Sequence, residues 1–200
     1  MTRHLLLTCA LLAVGAAGSL AQDPLRADAA SMQKKVAAMT LRANKPASSK
    51  TVAPLRTSFT DNEVNAYFKV HGKELVPDGV LDPQIVIVDV GRVRARAIVD
   101  LDAALKSKER SWLDPLAWLS GKVEIIAAGT LRAVNGKGVF GLESATLGGV
   151  AIPKSLLQEL VSYYSKTPDH PRGFDLDSPF DLPASIQAIE TKRGGATIIQ

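Results

Sequence analysis

The chain has 200 residues, 46% hydrophobic and 22% charged, with 24 Lys and Arg against 20 Asp and Glu. A formal charge of +4 is too weak to argue for a nucleic-acid partner, and none is expected. One cysteine excludes a disulfide framework, so any fold must be held by its core alone.

The chain opens MTRHLLLTCALLAVGAAGSLAQ. A basic start (Arg3, His4) precedes an apolar run from Leu5 to Ala17, and Ser19-Leu20-Ala21 offers small residues before Gln22. The run is short for a bilayer span and carries the flanks of a secretory signal, so residues 1–21 are read as a signal peptide. An uncleaved anchor is the alternative. Cys9 lies within the run behind Thr8, a poor lipobox residue, so lipid attachment is not expected. The expected product is exported, periplasmic or secreted, and free of cysteine. Removing Arg3 with no acid lowers the charge to +3. About 180 residues remain, enough for one domain with a sizeable core.

Residues 22–43 read as an amphipathic helix: Leu25, Ala29, Met32, Val36 and Met39 recur at three- and four-residue steps. NKPASSKTVAPL, within 44–57, has the composition of a linker. The helix is either an appendage, free to hold an envelope partner, or packed on the main domain, which is placed at 58–200. There Thr60 and Glu63 spell a capping box with Phe59 and Val64 as its staple. A helix is therefore predicted from about Asp61, with Val64, Tyr67 and Phe68 on one face and Gly72 as its stop.

Two strands follow, over 84–90 and 92–101, turning near Gly91. In the second, Val93, Ala95, Ala97, Val99 and Leu101 share one face, and Arg92, Arg94 and Arg96 the other. Alternating arginines usually mark a wet face; headgroup binding is the lesser reading. Asn135-Gly136 predicts a hairpin between strands at 122–134 and 137–147. Pro153 opens a helix with Leu156, Leu157, Leu160, Val161 and Tyr164 on a broad apolar side. A polar, proline-rich loop (166–183) leads to a last hairpin turning at Gly194-Gly195. Short steps between strands imply an α+β domain with an antiparallel sheet.

Chemistry is sparse. His71 and His170 lack metal-ligand spacing, and no phosphate loop, nucleophile elbow or dinucleotide fingerprint occurs. Ser31–Lys34 matches S-x-x-K without its companion motifs. Asp175, Asp177 and Asp181 lack the glycine and glutamate of a calcium loop, and read as a solvated acidic segment. No enzyme, metal or cofactor is expected. What stands out instead is small apolar residues, Ala95, Ala97, Ala127 and Ala133, on faces read as inward. They either let a helix approach closely or leave room for a guest.

The pieces in order resemble the bacterial single-domain, exported phospholipid-binding members of the TULIP (tubular lipid-binding) superfamily. The matching elements are Thr60, Glu63 and Asn65; Gly148, Gly149, Val150, Ile152 and Pro153; and Pro179, Phe180, Leu182 and Pro183. The resemblance covers about 59–200. It implies a strongly curved antiparallel sheet wrapped around a long helix, with a second helix and an apolar groove for acyl chains of phospholipid or another long-chain lipid. Carried onto this sequence, the groove takes Val64, Phe68, Leu156, Leu160 and Tyr164 from helices. From strands it takes Val93, Ala95, Ala97 and Val99, then Ile125, Ala127, Leu131, Phe140 and Leu142.

Withdrawing an acyl chain from a bilayer exposes methylenes at about 0.8 kcal/mol each, roughly 10 kcal/mol for a whole chain. A carrier must therefore enclose most of the chain and open at a membrane. Residues 111–121, SWLDPLAWLSG, hold both tryptophans. Trp112, Leu113, Leu116 and Trp118, flanked by Lys106, Lys108, Arg110 and Lys122, suit peripheral contact with lipid headgroups. Alternatively these rings fold back and plug the core. The expected function is a non-enzymatic lipid-binding or lipid-carrying protein of the cell envelope. The alternative is a ligand-free envelope scaffold with a filled core.

Overall fold

The computed structural model describes residues 23–44, 53–77, 79–100, 102, 121–166 and 171–200, without the side chains of Tyr163 and Tyr164. The signal segment, most of the linker, His170 and the stretch from Lys106 through Trp118 lie outside the described residues.

Helix α1 (Pro24–Ala43) is capped by Asp23, whose carboxylate accepts a hydrogen bond from Leu25 N at 3.1 Å. Its stripe of Ala29, Met32 and Met39 is buried. Met39 joins Ile186 and Ile198 in a cluster flanked by Val36, Phe59, Leu182 and Ile189. Of the two sequence readings, the helix packed on the domain is the one observed, with its face from Ala29 to Met39 turned inward and Leu25 left exposed.

Strand β1 (Arg56–Thr60) comes before α2 (Asp61–Leu75) and begins inside the stretch read as linker. Five exposed-edge residues carry little signal by themselves; pairing with the C-terminal strand makes them a strand. The capping box of α2 forms in both directions, Glu63 N to Thr60 Oγ1 at 3.2 Å and Thr60 N to Glu63 Oε2 at 2.9 Å. The helix runs past Gly72 and stops at Val76, whose extended backbone precedes Pro77.

Strands β2 (Val80–Asp89), β3 (Arg92–Asp100), β4 (Lys122–Val134) and β5 (Lys137–Leu147) form an antiparallel meander. Asn135 and Gly136 both take positive φ (52° and 74°), as the two-residue turn between β4 and β5 demands. Strand β6 (Val150–Ala151) leads into α3 (Lys154–Tyr164), and β7 (Phe180–Asp181) pairs with the start of β5. Strands β8 (Ala188–Lys192) and β9 (Gly195–Ile199) close the chain. Lys192 pairs with Gly195, so the turn is Arg193-Gly194, one residue earlier than the sequence predicts. A side chain at Gly195 would meet Phe59 O at 2.5 Å, which is why glycine continues into that strand.

The molecule is α+β. Among the described residues it has three helices and one open nine-stranded antiparallel sheet, ordered β1-β9-β8-β4-β3-β2, with β5 paired to the far side of β4. Bulges in β2 and at Ala128/Gly129 of β4 bend the sheet. Strand β2 starts four residues earlier than predicted. Asp82 (φ 46°) and Pro83 interrupt its pattern, and an edge strand tolerates both. No described helix is long and apolar enough to cross a membrane.

Candidate functional site

Alternation along β3, β4 and β5 sets the composition of one sheet face. The register aligns Ala95 with Ala127, Ala127 with Ala145, and Ala97 with Ile125. A row of three alanines thus crosses three strands. At its β5 end the row lets α3 come close: Ala145, Leu157 and Leu176 form a buried cluster with Ile125, Ala127, Phe140, Leu142, Ile152 and Val161 around it. Toward β3 no described side chain fills the space. There a cleft of about 370 Å³ lies between the sheet face, Phe68 of α2, and Leu157, Leu160 and Val161 of α3. Close helix packing is what the small residues serve at the β5 end of the row, and at the β3 end they border the cleft.

The cleft gathers Phe68, Ala95, Ala97, Val99, Ile125, Ala127, Phe140 and Leu160 from the expected set. Five expected residues do not line it. Val93 and Leu142 both sit opposite Gly129, and Leu131 sits opposite Phe140. The Phe140 ring lies across Gly129, where a Cβ would meet its Cζ at 2.9 Å, and so walls off that end of the face. On α3 the phase is turned by one residue: Leu157 and Leu160 are buried against the sheet, and Leu156 is only half-buried. Val64, also half-buried, stands one turn before Phe68 and outside the lining. The Tyr164 side chain and the whole expected membrane-contact set, Lys106, Lys108, Arg110, Trp112, Leu113, Leu116 and Trp118, lie outside the described residues.

The structure adds Leu157 and Val161 from α3, Val80 and Pro83 from the unexpected start of β2, and Gln84 and Ile85 from its predicted part. Leu176 comes from the loop read as polar. Gln158 fixes it there, with Oε1 accepting from Leu176 N at 2.7 Å and Nε2 donating to Phe174 O at 3.0 Å. An isolated leucine among aspartates and prolines was the available signal.

The described lining is apolar apart from Gln84 and Arg96, which are paired neighbours across β2 and β3. Arg96 donates to Glu124 Oε1 at 2.5 Å and to Asp82 Oδ2 at 3.3 Å. The hydrogen bond to Glu124 leads in holding its pKa above the ordinary arginine value. Arg92 is likewise engaged, with Glu143 at 2.8 Å. Half-exposed pairs of this kind add little stability.

Other expected chemistry dissolves into structure. Ser31 Oγ donates to Glu63 rather than facing Lys34. Asp175 accepts from Ser178 Oγ at 2.6 Å and Asp177 N at 3.0 Å, which lowers its pKa; Asp177 pairs with Lys154 and Asp181 with Lys137. His71 packs against Tyr67 at 4.8 Å between ring centres, with the rings tilted by 43°. Among the described residues no group of three His, Cys, Asp or Glu side chains could hold a metal ion.

No family model matches the chain, and no curated protein matches it. Among solved structures it is similar to a crystal structure of lipopolysaccharide binding protein, at 16% identity and a TM-score of 0.23. The alignment takes in 78% of this chain and 45% of that one, so the chain spans under half the length of this neighbour. A likeness this slight carries no argument about the site.

Proposed function

We propose that the chain is an exported, non-enzymatic lipid-binding or lipid-carrying protein that encloses an acyl chain in the cleft between sheet and helices. The observation that carries this reading is the cleft itself: about 370 Å³, apolar on all described sides but one, and kept open by alanines in register. Small-molecule sites span about 300–1,000 Å³, so the volume suits a guest rather than a packing defect. The order of sequence elements that resembles the TULIP proteins supports the same reading. The scaffold alternative needs a filled core and a free α1 face, and the cleft and the covered Met39 stripe both count against it.

The segment between Asp100 and Gly121, which follows β3 and precedes β4 in the chain, holds both tryptophans. In this reading its tryptophans and lysines contact the membrane from which lipid is drawn. Replacing Trp112 and Trp118 together by Ala is expected to weaken sedimentation with anionic liposomes; unchanged binding removes that role.

The test of the function is native mass spectrometry of the purified protein, followed by extraction and identification of any lipid. A stoichiometric long-chain lipid is the expected result. A clean apo mass that persists after incubation with membrane lipids overturns the reading.

A further inference from the structure

The acyl cleft has a polar neighbour. A second cavity, about 380 Å³, lies where α1, α2 and β2 meet, and shares Pro83 and Gln84 with the cleft. Its other walls are Leu25 and Asp28 of α1, Asn62, Asn65, Ala66 and Lys69 of α2, and Asp82. Backbone geometry brings the two together. The bulge between Leu81 and Gln84, with Asp82 at φ 46°, turns the edge strand so that Pro83 and Gln84 border both cavities.

Several of these polar groups are already engaged. Asn65 holds both backbone groups of Ile85, and Asp82 accepts from Arg96 and from Gln84 Nε2 at 3.2 Å. Asp28 and Lys69 are different. Each lines the cavity, and among the described residues neither makes an ion pair or hydrogen bond, with each other or elsewhere. One wall thus offers a carboxylate and the facing helix an ammonium, held apart rather than neutralised.

We propose that this cavity is the headgroup subsite of the lipid cleft, and that it selects a zwitterionic head, a phosphate ester bearing a cationic amine. Lys69 meets the phosphate, Asp28 meets the amine, and the chain crosses Pro83-Gln84 into the alanine-lined cleft. This assignment rests on the lipid-binding reading above. An anionic head lacking the amine leaves Asp28 facing a like charge, and a fatty acid leaves it unpaired. A charge-assisted hydrogen bond of this kind is worth about tenfold in affinity.

The experiment is displacement of cis-parinaric acid from the full chain by three lipids of one chain length: palmitate, lysophosphatidylglycerol and lysophosphatidylethanolamine. The last is expected to compete about tenfold better than the other two. Asp28→Asn is expected to collapse the ratio of lysophosphatidylethanolamine to lysophosphatidylglycerol toward one, and Lys69→Ala to weaken both phosphate-bearing lipids relative to palmitate. Equal competition by all three, or ratios untouched by both variants, overturns the headgroup subsite and leaves the acyl cleft standing. Failure of parinaric acid to bind, with none of the three lipids detected on the protein by native mass spectrometry, overturns the cleft and the subsite together.

Discussion

Glu63 shows how much one residue of this chain does. One carboxylate oxygen closes the capping box of α2; the other accepts from Ser31 Oγ and Lys35 Nζ of α1, each at 2.5 Å. The residue is 8% exposed, and burial pushes its pKa up. The hydrogen bonds from Lys35, Ser31 and Thr60 N, with the charge of Lys35, outweigh burial and leave the pKa below the ordinary value of 4.5. As pH falls, the unfolded chain therefore takes up this proton before the folded one does. The contribution is fully present above the unfolded value and is lost as pH falls through the folded one. Glu63→Gln keeps the shape but loses the charge, and is expected to cost about 2 kcal/mol at pH 7. That gap should narrow as pH falls below the ordinary carboxylate range, because the wild-type carboxylate then takes up its own proton. Urea midpoints of both proteins across this range check the sign: a gap that widens on acidification contradicts it.

At the scale of elements, the signals that were legible are local ones. Thr60-x-x-Glu63 marks the start of α2 and Asn135-Gly136 marks the β4–β5 turn, because caps and tight turns are decided by neighbouring residues. Illegible pieces depend on distant partners: β1 exists through β9, the first half of β2 through β3, and Gly195 as a strand residue through the carbonyl of Phe59. Asn65 bridges the two kinds. Its side chain donates to Ile85 O and accepts from Ile85 N, both at 2.8 Å, while Asp61 Oδ2 accepts from Ile87 N at 3.1 Å. Two side chains of α2 thereby occupy the outer edge of β2, where unpaired groups would otherwise template another strand. Asn65→Ala leaves both Ile85 groups unmet and is expected to cost about 2 kcal/mol. Amide exchange at Ile85 should accelerate by more than the global loss requires; exchange that tracks global stability alone would count against the edge-sealing role.

For the whole molecule, the cleft was half visible in advance. Period-two alternation places Ala95, Ala97, Val99, Ile125 and Ala127 on one face from sequence alone, and the register joins them. The phase of α3, the barrier made by Phe140 over Gly129, and the reach of Leu176 from its loop are tertiary facts that no local pattern encodes. The alanine row offers a test of what the fold uses small residues for. Ala145 is buried under Leu157 and Leu176, whereas Ala95, two strands away in the same row, borders open space. Ala145→Leu must overpack that cluster, and a loss of about 1–3 kcal/mol is expected. Ala95→Leu places the same extra atoms in the cleft. Stability should hold or rise slightly, while displacement of cis-parinaric acid shows a weakened site. If both substitutions destabilise alike, the row serves helix packing throughout and the space beside Ala95 is not kept for a guest. If only Ala145→Leu destabilises while Ala95→Leu removes lipid binding, one row of alanines divides its work between holding α3 and holding a ligand.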